Sequence, residues 1–560
     1  MSDDQRRDTA AATAITDALA QSATRRSTIK GVAAAGAARL LGGVTGAATL
    51  GVRAVAAEEH PGGTLIVSVP TAPDIFDPHA TGGWDTYKHT LQMFEGLSRE
   101  NLTDLESTFP ELEPCLAESW EVSEDGLVYT FTLRQGVKFH DGTDFNAAAV
   151  DFNVRRIWDK DYEFYYPRAN SFTFYAFEPL ESMEIIDDYT IRMTLNRPFA
   201  EFLRMQNQSY GEPLMVSPEA VKKSGNEGFA QAPVGTGRFK FVERKEGESS
   251  TMERFADYWG PDKALLDKIV FRIIPDPQAA ISALKAGETD IRLFIPPDNI
   301  AELEEAGFTV SMNDGPYVEY WYLNFKNEVT AKKEIRQAMN LALNREGIVA
   351  DLAHGSQSVA NGIIPPGCSA FDPNVKGWEY DPERAAALVK KAGYENGVTV
   401  PFMVAEYGGF LDQVVARMQQ DYKAIGIELE LQKFEWVTYL HDWGTGLKPE
   451  FGGLELGWGM SADYWFQLIA HSKFQAPNGT NSGYYSNPAV DKLFDEAAIT
   501  ADPDKRRELY QEAQRIAVME DAAYIPITFN RSPLALSPKV KGYVNPPEDW
   551  FQLWTVSLED

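Results

Sequence analysis

Cysteine is almost missing: Cys115 and Cys368 are the only two in 560 residues. Two thiols so far apart could close one very long loop at most, and there is no C-x-x-C or zinc spacing, so a disulfide framework and a cysteine metal site are excluded. Both read as free thiols or small buried apolar groups. Histidine is also scarce. The seven, at positions 60, 79, 89, 140, 354, 441 and 471, stand at no metal-ligand spacing to one another. No stretch after the N-terminal segment is long and apolar enough to span a bilayer. Basic residues are outnumbered, 52 Lys and Arg against 82 Asp and Glu, for a net charge of −30. Residues 1–56 hold seven Lys/Arg and four Asp/Glu, which leaves −33 on the rest. Such a field repels nucleic acid and anionic membrane, favours solubility and weakly suits a cationic ligand. HExxH, G-x-S-x-G, a Walker-A loop and G-x-G-x-x-G are all absent. We therefore expect no catalytic residues, no metal and no cofactor. His140-Asp141-Gly142 looks like an acid/base pair, but its place after a strand and its turn chemistry favour a turn.

What is present begins with an address. Residues 24–30 read Thr-Arg-Arg-Ser-Thr-Ile-Lys, a Gly/Ala-rich apolar stretch runs from Gly31 to Val52, and Ala54-Val55-Ala56 is a small-residue cleavage pattern. Paired arginines before a weakly apolar segment predict a twin-arginine export signal over 1–56. Arg39 interrupts the apolar run and makes it a poor membrane anchor. No Cys lies near the cleavage site, so a lipid anchor is not expected. The mature chain is expected to start near Ala57 and to be free in the periplasm.

The remaining length suggests two to four packing units. Residues 63–69, 127–134 and 189–195 alternate as strands, and Asn146 to Trp158 has helical spacing. Asp381-Pro382 and Asp502-Pro503 each pair an N-cap with a Pro at the first helical position. After the first, Ala385, Leu388 and Val389 form an apolar face and Gly393 can end the helix. After the second, Leu509, Ala513, Ile516 and Ala517 form the buried stripe. A strand over Tyr524–Phe529 follows. Helices alternating with short strands imply a mixed α/β chain.

Several ordered motifs then converge. Cys115-Leu116-Ala117-Glu118-Ser119-Trp120, Asp125-Gly126, Tyr129 to Arg134 and Gly136-Val137-Lys138-Phe139-His140-Asp141-Gly142 resemble the signature of solute-binding protein family 5, the dipeptide, oligopeptide and nickel class. Pro233-Val234-Gly235-Thr236-Gly237-Arg238-Phe239 is similar to the family's P-x-G-T-G-P turn, with Arg238 in place of the usual Pro. Asp257-Tyr258-Trp259-Gly260, Ala286 to Asp290, Tyr322 to Phe325, Ile335 to Ala338, Tyr485 to Asp491 and Ala523 to Ile527 continue the match. The resemblance implies a two-lobed periplasmic binding protein fold of type II, cluster C-like, with two crossing strands near Tyr317–Phe325 and Tyr524–Asn530. Lobe I is then 61–316 with an extra subdomain at about 107–215, lobe II is 317–530, and 531–560 return to lobe I. It also implies a non-enzymatic, monomeric partner of ABC transporter permease subunits that captures a peptide or other small organic solute.

Candidate ligand-binding residues follow from that frame. The loop after the first strand carries Trp84 and Tyr87 in a Gly82-Gly83 context, and such loops face the cleft; pocket and core remain open for Trp84. Tyr320 and Trp321 lie in an aromatic hinge segment whose alternation sends half of it into the core. Glu406 and Tyr407 form a lip after the strand Val400–Val404. In peptide binders of the family a Trp is followed three residues later by an Asp that pairs with the peptide amino group. Trp458 is here followed by Ser461 at that position, Asp463 comes five residues on, and Trp465 lies just beyond in place of the usual Asp-Pro. Asp463 reads as a ligand carboxylate or as a turn or helix-cap residue. This departure puts a simple di- or oligopeptide in doubt and keeps a nickel or metal-chelate binder, an oligosaccharide binder, a hydrolase on the same scaffold and a chaperone or sensor-docking role as alternatives.

Overall fold

The computed structural model describes residues 62–559 apart from 82–83, 102–109, 207–212, 313–314, 406–408, 435, 460–462, 478 and 546–551. The export-signal reading over 1–56 lies outside the described residues.

In chain order the elements used below are β1 (Thr64–Val69), α1 (Trp84–Met93), β2 (Ala117–Val122), β3 (Val128–Leu133), α2 (Ala147–Trp158), β4 (Leu180–Asp187) and β5 (Thr190–Leu195). Then come β6 (Phe239–Lys245), β7 (Ser249–Arg254), β8 (Lys268–Ile273), β9 (Ile291–Arg292) and β10 (Thr309–Ser311). The second half holds β11 (Val318–Leu323), α3 (Lys333–Ala342), β12 (Gln357–Val359), α4 (Pro382–Lys391), β13 (Val398–Ala405), α5 (Gly409–Ala424), β14 (Ile427–Phe434), α6 (Trp436–Thr445) and β15 (Gly453–Trp458). It closes with α7 (Tyr464–Ala470), α8 (Pro503–Gln514), β16 (Tyr524–Asn530) and β17 (Leu534–Leu536).

These strands build three main sheets. A seven-stranded sheet runs β10-β17-β9-β1-β8-β7-β6, a six-stranded sheet β12-β16-β11-β15-β13-β14, and a four-stranded antiparallel sheet β2-β3-β5-β4. We take the first two as the centres of the two lobes and the third as the subdomain. β11 is covered on both faces: Val318, Tyr320 and Tyr322 enter one core, Trp321 and Leu323 the other. A strand buried on both sides has no polar alternation, which is why its sequence is aromatic and apolar except at Glu319.

Local chemistry sets the helix starts. The Asn146 side chain accepts from the Ala149 amide (3.1 Å), Asp381 caps α4 through the Arg384 amide (2.9 Å), and Asp502 caps α8 through the amides of Asp504 and Lys505. Gly393 follows α4 at φ +94°, where only glycine is unstrained. Beyond Gln514 the helix loosens into π turns over Arg515–Glu520, so Ala513 and Ala517 are both buried while Ile516 and Leu509 pack beside them. His140-Asp141-Gly142 is a turn: the Thr143 amide and hydroxyl donate to Asp141, and Gly142 has φ +84°. Cys115 and Cys368 are buried and are not joined in a disulfide. Burial pushes the Cys115 thiol far up, which removes it from thiolate chemistry.

The chain passes between the two large sheets twice, at 312–317 from β10 to β11 and at 531–533 from β16 to β17. Both strand pairs are neighbours in their own sheets, β10 beside β17 and β11 beside β16, so the connections run side by side. The Gly315 amide donates to the Asn530 carbonyl (3.3 Å) and the Asn530 amide to the Tyr317 carbonyl (3.0 Å). The strands expected to cross thus lie within the second sheet, and the short segments beside them make the passage. Among the described residues no helix is long and apolar enough to cross a membrane.

Candidate functional site

In open α/β sheets ligands bind outside the carboxyl ends of the parallel strands. In the first lobe β1 runs parallel to β8 and β9, so the loops after Val69, Ile273 and Arg292 form one edge. In the second lobe β13 is parallel to β14 and β15, and β11 is antiparallel to β15. That edge is therefore made by the loops after Ala405, Phe434 and Trp458 and by the start of β11. Both double-connection segments enter at these same edges.

The loop after β1 is held by the subdomain. Asp74 accepts from Thr81 (3.0 Å), Thr86 (2.8 Å) and Arg168 (2.8 Å), and Arg168 also donates to the Ala80 carbonyl (2.7 Å). Asp77 is fully buried and paired with Arg156, which also donates to His79 Nδ1 (3.0 Å), while His79 Nε2 sits 2.6 Å from the Leu214 carbonyl. Burial pushes the Asp77 carboxyl up, but the Arg156 guanidinium outweighs it and leaves the group below its ordinary value. Burial and the same guanidinium hold His79 down at about 4, so it is neutral and accepts from Arg156.

The sequence candidates separate into three groups. Glu406, Tyr407 and Ser461 lie outside the described residues, as does the side chain of Trp84, whose backbone begins α1. Tyr87 is buried with its hydroxyl donated to the Thr81 carbonyl (2.8 Å), and Trp458 is half-buried at the end of β15 with its ring 5.3 Å from that of Trp443. Tyr320, Trp321 and Trp465 are wholly buried. Trp321 packs on Phe402 (4.9 Å) in the core under α3 and α5, and Tyr320 on Trp465 (6.4 Å) in the opposite core. Their aromaticity is spent on sheet packing, so we leave these three out of the proposed ligand contacts.

Asp463 stands just before α7 and is 1% exposed. Its carboxylate accepts from the Ser369 hydroxyl and the Ala370 amide (2.8 Å), which makes it the anchor of the 369–370 loop. Burial, with Glu201 nearby, pushes it up to about 6 against those two donors. It stands as a turn residue at the N-cap position of α7 but makes no side-chain cap bond, so the cap role is corrected: the group it holds is a neighbouring loop. An Asp463→Ala change would therefore remove a structural tie to the 369–370 loop.

Sequence reasoning missed Glu319 and Glu455, which lie on β11 and β15 at the second-lobe edge, 8% and 3% exposed. A charged residue inside an otherwise apolar strand was the available signal. Among the described residues no group of three or more His, Cys, Asp or Glu is arranged to hold a metal ion.

Two lobes around a double connection, with the carboxyl edges of both sheets brought to it, define a protein of the two-lobed periplasmic binding class. The chain belongs to the bacterial extracellular solute-binding proteins, family 5, whose middle-region model matches residues 111–473. It is 30% identical over 499 residues to the glutathione-binding protein GsiB of Escherichia coli K12, covering 87% of this chain and 93% of that one. The structure is similar to that of the periplasmic binding protein DppA from Helicobacter pylori in complex with the peptide STSA, with TM-score 0.80, 30% identity, and 89% and 98% of the two chains covered. It also matches the oligopeptide-binding protein AppA from Bacillus subtilis with a nonapeptide, TM-score 0.77 at 24% identity over 89% and 99%, a likeness of fold alone.

Proposed function

We infer that this chain is the ligand-capturing component of an ABC importer, holding a short peptide or peptide-like solute between its two lobes and delivering it to the membrane permease. The observation that carries this reading is the pair of adjacent connections, 312–317 and 531–533, at which the ligand-binding edges of two separate sheets meet. Such a joint lets the lobes rotate, and a ligand touching both edges favours the closed form through its differential affinity for it. The relatives named for glutathione and peptides support a ligand with a peptide backbone. The export pattern over 1–56 supports delivery to the periplasm by the twin-arginine route, without a lipid anchor, and the protein acts as a monomer that binds without turnover.

The test is a thermal-shift and calorimetric screen of the mature chain with glutathione and with di-, tri- and tetrapeptides. A true ligand raises the melting temperature with concentration, by about 2.7 kcal/mol of stabilisation at one hundred times Kd. If no member of the panel shifts melting and none is consumed, the peptide reading fails. If one is hydrolysed, the non-enzymatic reading fails instead.

A further inference from the structure

Near the carboxyl edge of the second-lobe sheet, two buried carboxylates have no described residue to neutralise them. Glu319 lies opposite Gly457 in the β11–β15 ladder and Glu455 opposite Trp321, so the two glutamates are diagonal neighbours on one face. Such positions stand about 7–8 Å apart at Cα, within reach of long side chains. No hydrogen bond or ion pair to either carboxylate exists among the described residues. Asp412, in the first turn of α5, faces Glu455 and adds a third negative charge, and Lys433 is engaged with Asp412 (3.4 Å).

Gly457 lets the Glu319 carboxylate and Tyr317 come close over the strand. A Cβ there would sit 2.6 Å from both the Glu319 Oε2 and the Tyr317 hydroxyl and 2.5 Å from the Tyr317 ring. A carboxylate and an aromatic ring converge over a residue that has no side chain. Burying even one unpaired carboxylate is costly, and two on one face are mutually repulsive, so each keeps its proton unless a positive charge is supplied. An ammonium or guanidinium supplies it.

We propose that Glu319 and Glu455, with Tyr317 beside them, form a subsite that receives a cationic ammonium or guanidinium group of the ligand at the second-lobe edge of the cleft. The subsite rests on the reading of the protein as a solute binder and narrows its ligand to one that carries such a group. Burial raises Glu319 to about 7 and Glu455 well above its ordinary value, as expected of carboxylates waiting for a partner.

The test compares wild type with E319Q/E455Q, using tri-alanine, Ala-Ala-Lys and Ala-Ala-Arg in calorimetry at pH 7.5 and low salt, and agmatine at millimolar concentration in thermal shift. We expect wild type to bind a cationic tripeptide at least about tenfold more tightly than tri-alanine, and the double variant to lose that ratio. Agmatine is expected to raise melting of the wild type and not of the variant. An unchanged ratio in the variant, or equal binding of cationic and neutral peptides by wild type, overturns the subsite. If no peptide binds, the peptide reading fails by itself, and agmatine still decides: no wild-type shift overturns the subsite too. Should the double variant fail to fold, the wild type alone is read at pH 5 and pH 8, where loss of the agmatine shift at the lower pH supports the carboxylates and a pH-independent shift overturns them.

Discussion

At the residue scale the buried titratable groups fix how stability depends on pH. His79 and His140 are both held at about 4, mainly by burial, below the ordinary 6.5. The unfolded chain then binds more protons than the folded one between about 4 and 6.5, and these groups make stability rise with pH over that window. Asp463, raised to about 6 by burial, does the opposite between 3.8 and 6, because the folded chain holds the proton longer. Glu319, raised to about 7 by burial, extends that falling slope above the histidine window, and Glu455, also raised well above its ordinary value by burial, acts in the same direction. The ligand-free protein should therefore lose stability from pH 6.5 to pH 8, and E319Q/E455Q should flatten the loss. Melting temperatures across that range decide it, and a flat wild-type profile would refute the assignment. The sequence announced little of this site. Asp463 was visible as an acid near a Trp, but not that Ser369 and Ala370, more than ninety residues earlier, would claim its carboxylate. Tyr320 and Trp321 were visible as aromatics, but a strand covered on both faces has no periodicity to say which way it is wet.

At the scale of elements, much more was legible, because strand alternation and helix caps are local. β1, β3, β5, α2, α4 and β16 fall where alternation, Asn146, Asp381 and the Tyr524 run place them. The passage between sheets was displaced, since it depends on which strands pair across about two hundred residues of intervening chain. Close backbone approach also escapes a reading from sequence, and it gives a test. A Cβ on Gly459 would lie 1.7 Å from the Pro316 carbonyl oxygen and 2.9 Å from the Tyr317 Cα, both backbone atoms of the 312–317 connection. No rotamer change relieves that contact, so Gly459→Ala should destabilise by about 1–3 kcal/mol or more. Gly444, inside α6, has nothing within 4 Å of its Cβ position. Gly444→Ala should be neutral or stabilising by up to about 1 kcal/mol through helix propensity. Chemical denaturation of the two variants checks the contrast, and equal behaviour would mean that the tight approach at the connection is not real.

At the scale of the whole molecule the subdomain also touches the second lobe. The Ala200 amide donates to the Ala498 carbonyl (2.8 Å), the rings of Phe199 and Tyr464 stand 4.8 Å apart at 68°, and Arg506 pairs with Glu201 at 3.0 Å with both side chains buried. Phe199, Tyr464, Leu468 and Ala498 share one apolar core with the subdomain, so this contact is packed as well as charged. Removing one partner of a buried ion pair leaves the other uncompensated and costs about 3–5 kcal/mol, whereas replacing both by apolar residues of similar volume is often neutral. Arg506→Met should therefore loosen the subdomain from the second lobe, and E201L/R506M should restore the contact. Arg506 also donates to the Thr500 carbonyl (3.0 Å), a tie within the second lobe that both variants lose equally, so the difference between them reports the ion pair. If closure around the ligand uses this contact, loosening it lowers the binding-competent fraction and weakens apparent affinity in proportion, with every ligand-touching residue intact. The expected signature is a larger radius of gyration by small-angle scattering for ligand-free R506M, a weaker Kd, and recovery of both in the double variant. A weaker Kd with no change in shape would place Arg506 at the ligand itself, and an unchanged Kd with a larger radius would separate this contact from capture.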